Sequence, residues 1–227
     1  MELRGVSRTF DGTPPVRALR NVDLTVSPGD WLAVVGPSGS GKSTLLNVVG
    51  LLDRHTAGTY LFEGVDVSGL DDLARAGLRG RKIGFIFQSF HLLPYRTVEE
   101  NVMLAEVYVG APRRGRRDRA RAALDRVGLL ERADFLPTRL SGGQRQRAAI
   151  ARTLVGEPSL LLCDEPTGNL DSVSSRGVLD IFERLSEEGL TLLVITHDEE
   201  VASRARRHVR IVDGILGEVG SEGGKTR

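Results

Sequence analysis

Gly36-Pro37-Ser38-Gly39-Ser40-Gly41-Lys42-Ser43 is the stretch that decides the fold. It fits the pattern G-x-x-x-x-G-K-[ST], with the apolar run Leu32 to Val35 before it and an apolar helical pattern after it. Strand, glycine loop and helix in that order make a phosphate loop. The glycines let consecutive backbone N–H groups close around an anion, and the helix aims its positive end at the same point. Lys42 adds a point charge for the β- and γ-phosphates, and the Ser43 hydroxyl is a ligand for Mg²⁺. The spacing predicts a helix from about Ser43 to Leu52. Its Leu45, Leu46, Val48, Val49, Leu51 and Leu52 surround most of the axis, so the helix is expected in the core.

Two further short apolar runs, Leu160 to Cys163 and Leu190 to Ile195, read as parallel strands buried on both faces. Each ends at a chemical group. The first runs into Asp164-Glu165 and the second into Thr196-His197-Asp198. Ligands in open α/β sheets sit beyond the carboxyl ends of strands, so three strand ends point to one site. Beside a phosphate loop, Asp164 is placed to hold Mg²⁺ through water, and Glu165 to orient or deprotonate the attacking water. On its own the acidic pair is equally compatible with a solvated strand end. Ser141-Gly142-Gly143 begins another helix, with Ser as N-cap and glycines exposing N–H groups to a phosphate. It has no phosphate loop of its own, which suits a nucleotide held by another subunit.

At 227 residues the chain suits one domain, or one with an inserted lobe. Thirty-one basic residues against 30 acidic ones leave a net charge of +1, which gives no general footprint for nucleic acid. The single cysteine, Cys163, excludes an intrachain disulfide, suits a reducing compartment and reads as a small buried hydrophobe. Met1-Glu2-Leu3-Arg4 leads into polar sequence with no secretory signal, and no apolar run approaches a membrane span. A cytosolic location is expected, with any membrane role supplied by a partner.

The N-terminal part alternates short strands, Glu2 to Phe10, Val22 to Val26 and Thr59 to Phe62, with Gly and Pro turns. An antiparallel sheet at one edge is expected there. A strand at Ile83 to Phe87 follows, and then the pattern turns helical: Val98 to Tyr108, Arg116 to Val127 and Gly142 to Val155. The expected organisation is a mixed core from about 1–88 and 157–220, a helical lobe from about 89–156, and a frayed tail at 221–227. Arg113-Arg114-Gly115-Arg116-Arg117, with Arg119 and Arg121, reads as a solvated turn and helix start; contact with anionic headgroups is the alternative.

Together, the phosphate loop, Leu140-Ser141-Gly142-Gly143-Gln144 and Asp164-Glu165-Pro166-Thr167-Gly168-Asn169-Leu170-Asp171 resemble the ATP-binding-cassette ATPases over nearly the whole chain. Gly50-Leu51-Leu52-Asp53-Arg54 and Phe90-His91-Leu92-Leu93-Pro94 narrow the likeness to the lipoprotein-release and macrolide-export group. The related cell-division ATPases share much of these stretches. The resemblance implies an α/β phosphate-loop fold with an antiparallel β subdomain and an inserted helical subdomain. It implies ATP and Mg²⁺ as cofactors, held by the loop from Gly36 through Ser43 and Thr44. Gln88 then senses Mg²⁺ and γ-phosphate, His197 contacts γ-phosphate, and Phe10 stacks on adenine where the family more often has Tyr. Ser141, Gly142, Gly143 and Gln144 meet the γ-phosphate held by the opposite protomer, and Asp171 lies at the dimer interface. The implied partners are a second copy and a separate transmembrane permease, with the chain on the cytoplasmic face of the membrane. A regulator of cell-wall hydrolysis and a soluble ATPase acting on DNA or ribosomes are the alternatives. One cassette, one cysteine and no sustained heptads speak against the second.

Overall fold

The computed structural model describes residues 1–218, and the tail expected at Ser221 to Arg227 lies outside them. In chain order the elements are β1 (Glu2–Phe10), β2 (Val16–Thr25), β3 (Trp31–Val35), α1 (Lys42–Val49), β4 (Ala57–Phe62) and β5 (Val65–Asp66). Next come α2 (Asp72–Lys82), β6 (Ile83–Phe87), α3 (Val98–Tyr108), α4 (Arg116–Arg126) and α5 (Gly142–Leu154). The chain continues with β7 (Leu160–Asp164), α6 (Ser172–Glu187), β8 (Thr191–Ile195), α7 (Glu199–Arg204), β9 (Arg207–Val212) and β10 (Ile215–Glu218).

The main sheet runs β10-β9-β3-β8-β7-β6. All its pairs are parallel except β9 with β10. Successive side chains of β3 alternate between two cores: Trp31 and Ala33 face one, Leu32 and Val34 the other. A second, antiparallel sheet, β2-β1-β4-β5, forms the expected edge layer. Helix α1 lies between the sheets. Its Leu45, Leu46, Val48 and Val49 share one core with Leu3, Val6 and Leu19 below and Leu162 and Leu193 above.

The helix differs from expectation at both ends. It starts at Lys42 and stops at Val49, and the Gly50 that follows packs so closely on Phe85 that a Cβ there would lie 2.5 Å from the ring. Leu51 then turns left-handed, at φ 57°, and stays buried. Leu52, expected in the core, is 49% exposed.

On the other face, α3, α4, α5 and α6 share a core that includes Val102, Leu124, Ile150 and Phe182. Capping boxes begin two of these helices, Thr97 with Glu100 at α3 and Ser141 with Gln144 at α5. The arginine run is not simply a solvated turn. Arg119 donates to the buried Glu106, and Arg116 lies 3.7 Å from the same carboxylate. Arg117 and Arg121 reach the buried Glu99 at 2.7 and 3.0 Å. Two carboxylates folded inside the lobe require cations, and the run supplies them.

The register of the main sheet builds the site. Val34, Ile195, Asp164 and Phe87 stand in one row across β3, β8, β7 and β6. The chain segments that follow them carry the loop of Gly36, Thr196, Glu165 and Gln88, so all four leave the sheet at one edge.

Candidate functional site: a phosphate loop facing an acidic strand end

The loop from Gly36 to Ser43 is shaped by close approaches. A Cβ on Gly36 would lie 2.2 Å from the Ile211 carbonyl, and one on Gly41, at φ 107°, would lie 2.4 Å from the Ala18 carbonyl. Gly41 caps α1 with no side-chain bond, so the first N–H groups of the helix have no partner of that kind. The Lys42 Nζ donates to the Gly36 and Pro37 carbonyls at 2.7 and 2.8 Å, curling its charge over the loop. Ser40 packs beneath the loop with its hydroxyl buried, and Pro37 and Ser38 are exposed on it. An open cavity of about 490 Å³ lies here, lined among others by Phe10, Gly39, Gly41, Lys42, Ser43 and Thr44. Phe10 therefore shares the cavity with the loop although it stands 26 or more positions before it. The Arg8 guanidinium sits 4.2 Å from the centroid of its ring.

Glu165 occupies a left-handed backbone conformation, at φ 46°, that non-glycine residues seldom adopt. Its N–H donates to the Ile195 carbonyl at 2.9 Å. The carboxylate is held on both oxygens. The Thr196 hydroxyl donates to Oε2 at 3.2 Å, and His197 Nδ1 lies 2.7 Å from Oε1. That hydrogen bond, then the carboxylate charge, raises the His197 pKa above its ordinary 6.5, with the Lys42 charge opposing. Burial, then the Glu165 charge, likewise raises the Asp164 pKa, and Lys42 again opposes. The Lys42 charge thus reaches both Asp164 and His197. Thr196 belongs to no motif that would single it out. It is fully buried, and its hydroxyl also accepts the Asp198 N–H at 3.0 Å.

The donor set suits Mg²⁺. Asp164 makes no ion pair among the described residues, stands beside a second acid and is half-buried, an arrangement a cation relieves. With the Ser43 hydroxyl and the Gln88 amide oxygen it offers only the hard oxygen ligands that Mg²⁺ takes. In this structure Gln88 is tied to Asn169. Its Nε2 donates to Asn169 Oδ1 at 3.2 Å, and Asn169 Nδ2 donates to the Gln88 carbonyl at 3.1 Å.

The Ser141 segment stands apart from the phosphate loop, at the start of α5. Ser141 Oγ accepts the Gln144 N–H at 3.2 Å, and the Gln144 side chain accepts the Ser141 N–H at 3.0 Å. This leaves the hydroxyl proton of Ser141 free to donate, together with the N–H groups of Gly142 and Gly143. A Cβ on Gly143 would lie 2.7 Å from Ser174, so glycine lets α5 seat on α6. Asp171 caps α6, accepting from Val173 N, Ser174 N and Ser174 Oγ at 3.1, 3.0 and 2.7 Å. Those hydrogen bonds, the Ser174 ones first, hold its carboxyl below the usual range. Gln146 is buried, and its Nε2 donates to the Pro166 carbonyl at 2.6 Å. Cys163 is buried, and burial pushes its thiol far above the ordinary value.

No helix among the described residues is long and apolar enough to cross a membrane. The ABC transporter family model matches residues 19–168. The chain is 52% identical over 220 residues to the macrolide export ATP-binding/permease protein MacB of Syntrophobacter fumaroxidans, covering 95% of this chain and 31% of that protein. It thus spans about a third of the length of such relatives. It is 48% identical to the ABC transporter ATP-binding protein YvrO of Bacillus subtilis, covering 95% of each. Among solved structures it is similar to the ATP-binding cassette MJ0796, in a dimeric post-hydrolysis state bound to ADP and Pi. That likeness has a TM-score of 0.85 and 37% identity, and it covers 96% of this chain and 98% of that one. Phosphate loop, acidic strand end, Ser-Gly-Gly helix start and fold agree with these likenesses, and the chain belongs to the ABC transporter family as an ABC-type ATPase.

Proposed function

We propose that two copies of this chain close over two ATP molecules and, by hydrolysing them, drive an export-type transmembrane permease from the cytoplasmic side. The observation that carries this reading is the Glu165 carboxylate, fixed by Thr196 and His197 at the sheet edge where the phosphate loop begins. The loop N–H groups and Lys42 bind the phosphates, and Phe10 offers a ring face to the adenine. Ser43, Asp164 and Gln88 would hold Mg²⁺, which neutralises charge on the β- and γ-phosphates when bound. Glu165 orients the attacking water and takes its proton, while His197 holds the carboxylate and faces the γ-phosphate.

Ser141, Gly142 and Gly143 complete the site of the opposite copy, with Asp171 and Gln144 at the seam. The dimeric MJ0796 cassette supports that arrangement. The helical lobe of residues 89–156 moves against the core as the copies close. An apolar groove of about 380 Å³, lined by Phe85, His91, Leu93, Leu104, Tyr108 and Arg152 among others, lies beside the Gln88 loop and would seat the permease. Relatives named for macrolide and pyoverdine export support an exporter. YvrO, which this chain matches nearly end to end, is named as an ABC transporter ATP-binding protein.

Ser141→Arg tests the reading. It fills the space before the α5 N–H groups and leaves the phosphate loop of its own chain intact. MgATP affinity should survive in the monomer while hydrolysis is lost. Loss of monomeric binding would place Ser141 in its own chain's pocket and overturn the shared-site reading.

A further inference from the structure

We propose that Asn169 is a positioning residue that sets the orientation of the Gln88 side-chain amide and couples it to the turn from Glu165 to Asp171. The proposal rests on the reading of Gln88 as a ligand toward Mg²⁺ and γ-phosphate. A carboxamide presents an oxygen on one side and an N–H₂ group on the other, and only the oxygen suits a cation. Asn169 engages the nitrogen side, accepting from Gln88 Nε2 at 3.2 Å. Its own nitrogen donates to the Gln88 backbone carbonyl at 3.1 Å, so the pair closes reciprocally. With its nitrogen side engaged, the Gln88 amide keeps Oε1 as the end available to a cation.

The surroundings make this contact specific. A Cβ on Gly168 would lie 2.8 Å from Gln88 Nε2, so the bare glycine leaves the Gln88 side chain room to lie against the turn. Gln146 fixes the backbone on both sides, donating to the Pro166 carbonyl at 2.6 Å and approaching the Phe87 carbonyl at 3.4 Å. These are the residues directly after Glu165 and directly before Gln88. The backbone is thus held from α5 and the side chain from Asn169. Gln88 and Asn169 are both exposed, where water would satisfy either amide, so the pair adds little to the core and its effect is on direction. The same turn starts at the left-handed Glu165 and ends at Asp171, the cap of α6. A movement of the Asp171 end on dimer closure would therefore reach the amide of Gln88.

The test is a double-mutant cycle in the Glu165→Gln chain, which separates binding from turnover. ATP affinity is measured by calorimetry across a Mg²⁺ titration and again in EDTA, for Asn169→Leu, Gln88→Leu and the double variant. Asn169→Leu should raise the Mg²⁺ concentration for half-maximal enhancement about tenfold, as loss of an outer partner of a metal ligand does. It should leave ATP binding in EDTA and the melting temperature unchanged. In the Gln88→Leu chain the same substitution should have no effect. An unchanged Mg²⁺ dependence, or an equal loss with and without Gln88, would overturn the proposal. A parent chain that binds no ATP at all would instead overturn the reading beneath it.

Discussion

Thr196→Val removes one hydroxyl and keeps the shape of a fully buried side chain. Two hydrogen bonds go with it. Glu165 Oε2 loses a donor at 3.2 Å, and the Asp198 N–H loses its acceptor at 3.0 Å. A hydrogen bond to a charged group contributes about 1.5 kcal/mol at the lower end of its range, which this longer contact warrants. If the hydroxyl holds Glu165 in its working direction, that loss appears in the transition state as about a tenfold fall in kcat. The phosphate loop is untouched, so MgATP affinity should stay within about twofold of wild type, well inside the tenfold that 1.4 kcal/mol would give. The stranded N–H should lower folding stability by about 1–2 kcal/mol. Single-turnover hydrolysis, equilibrium nucleotide binding and urea unfolding read the three quantities separately. Unchanged turnover in a folded Thr196→Val chain would refute the role given to the hydroxyl, and an equal loss in affinity and kcat would move it to binding.

Lys42→Ala should fold normally, since among the described residues its amine bonds only to the Gly36 and Pro37 carbonyls, yet lose most ATP affinity and turnover in the same assays. The nucleotide-free protein should show His197 titrating above 6.5 by NMR, and Glu165→Gln should bring it back toward that value. Because the folded pKa is raised, the pair's contribution to stability is complete below the unfolded value and disappears as pH rises through the folded one. A His197 titration unmoved by Glu165→Gln would show that the two do not interact in solution.

Much of the fold was legible because its signals are local. The runs at Leu160 and Leu190, and the helix starts at Val98, Arg116 and Gly142, are set by apolar runs and caps that lie within the elements themselves. Helix α6 was not read, although Val178, Leu179, Phe182 and Leu185 are buried at helical spacing, because acidic and polar residues stand between them. Helix α2 buries Arg75 rather than a hydrophobic stripe, and its arginines bond to the Leu51 and Asp53 carbonyls, so no run of buried hydrophobics marks it. Strand β9 carries charges at Arg207 and Arg210 that disguise a sheet position. In the site, residue types that carry chemistry were visible as motifs. Residues that aim them were not: Thr196, Gln146 and Asn169 act on partners 31, 20 and 81 residues away, and only the folded chain brings them together. The arginine run misled for the same reason, since its carboxylate partners lie on the preceding helix.

The central claim is that each hydrolysis site is shared between two copies. Glu165→Gln keeps the shape of the carboxylate and removes the base, so a closed complex should accumulate once ATP is bound. The direct measurement is the mass of this variant by light scattering on a sizing column, with and without MgATP. A shared site requires a monomer of 24.7 kDa without nucleotide and a species of twice that mass with it. A variant that binds MgATP, stays monomeric at every concentration and still hydrolyses it would rule the shared site out.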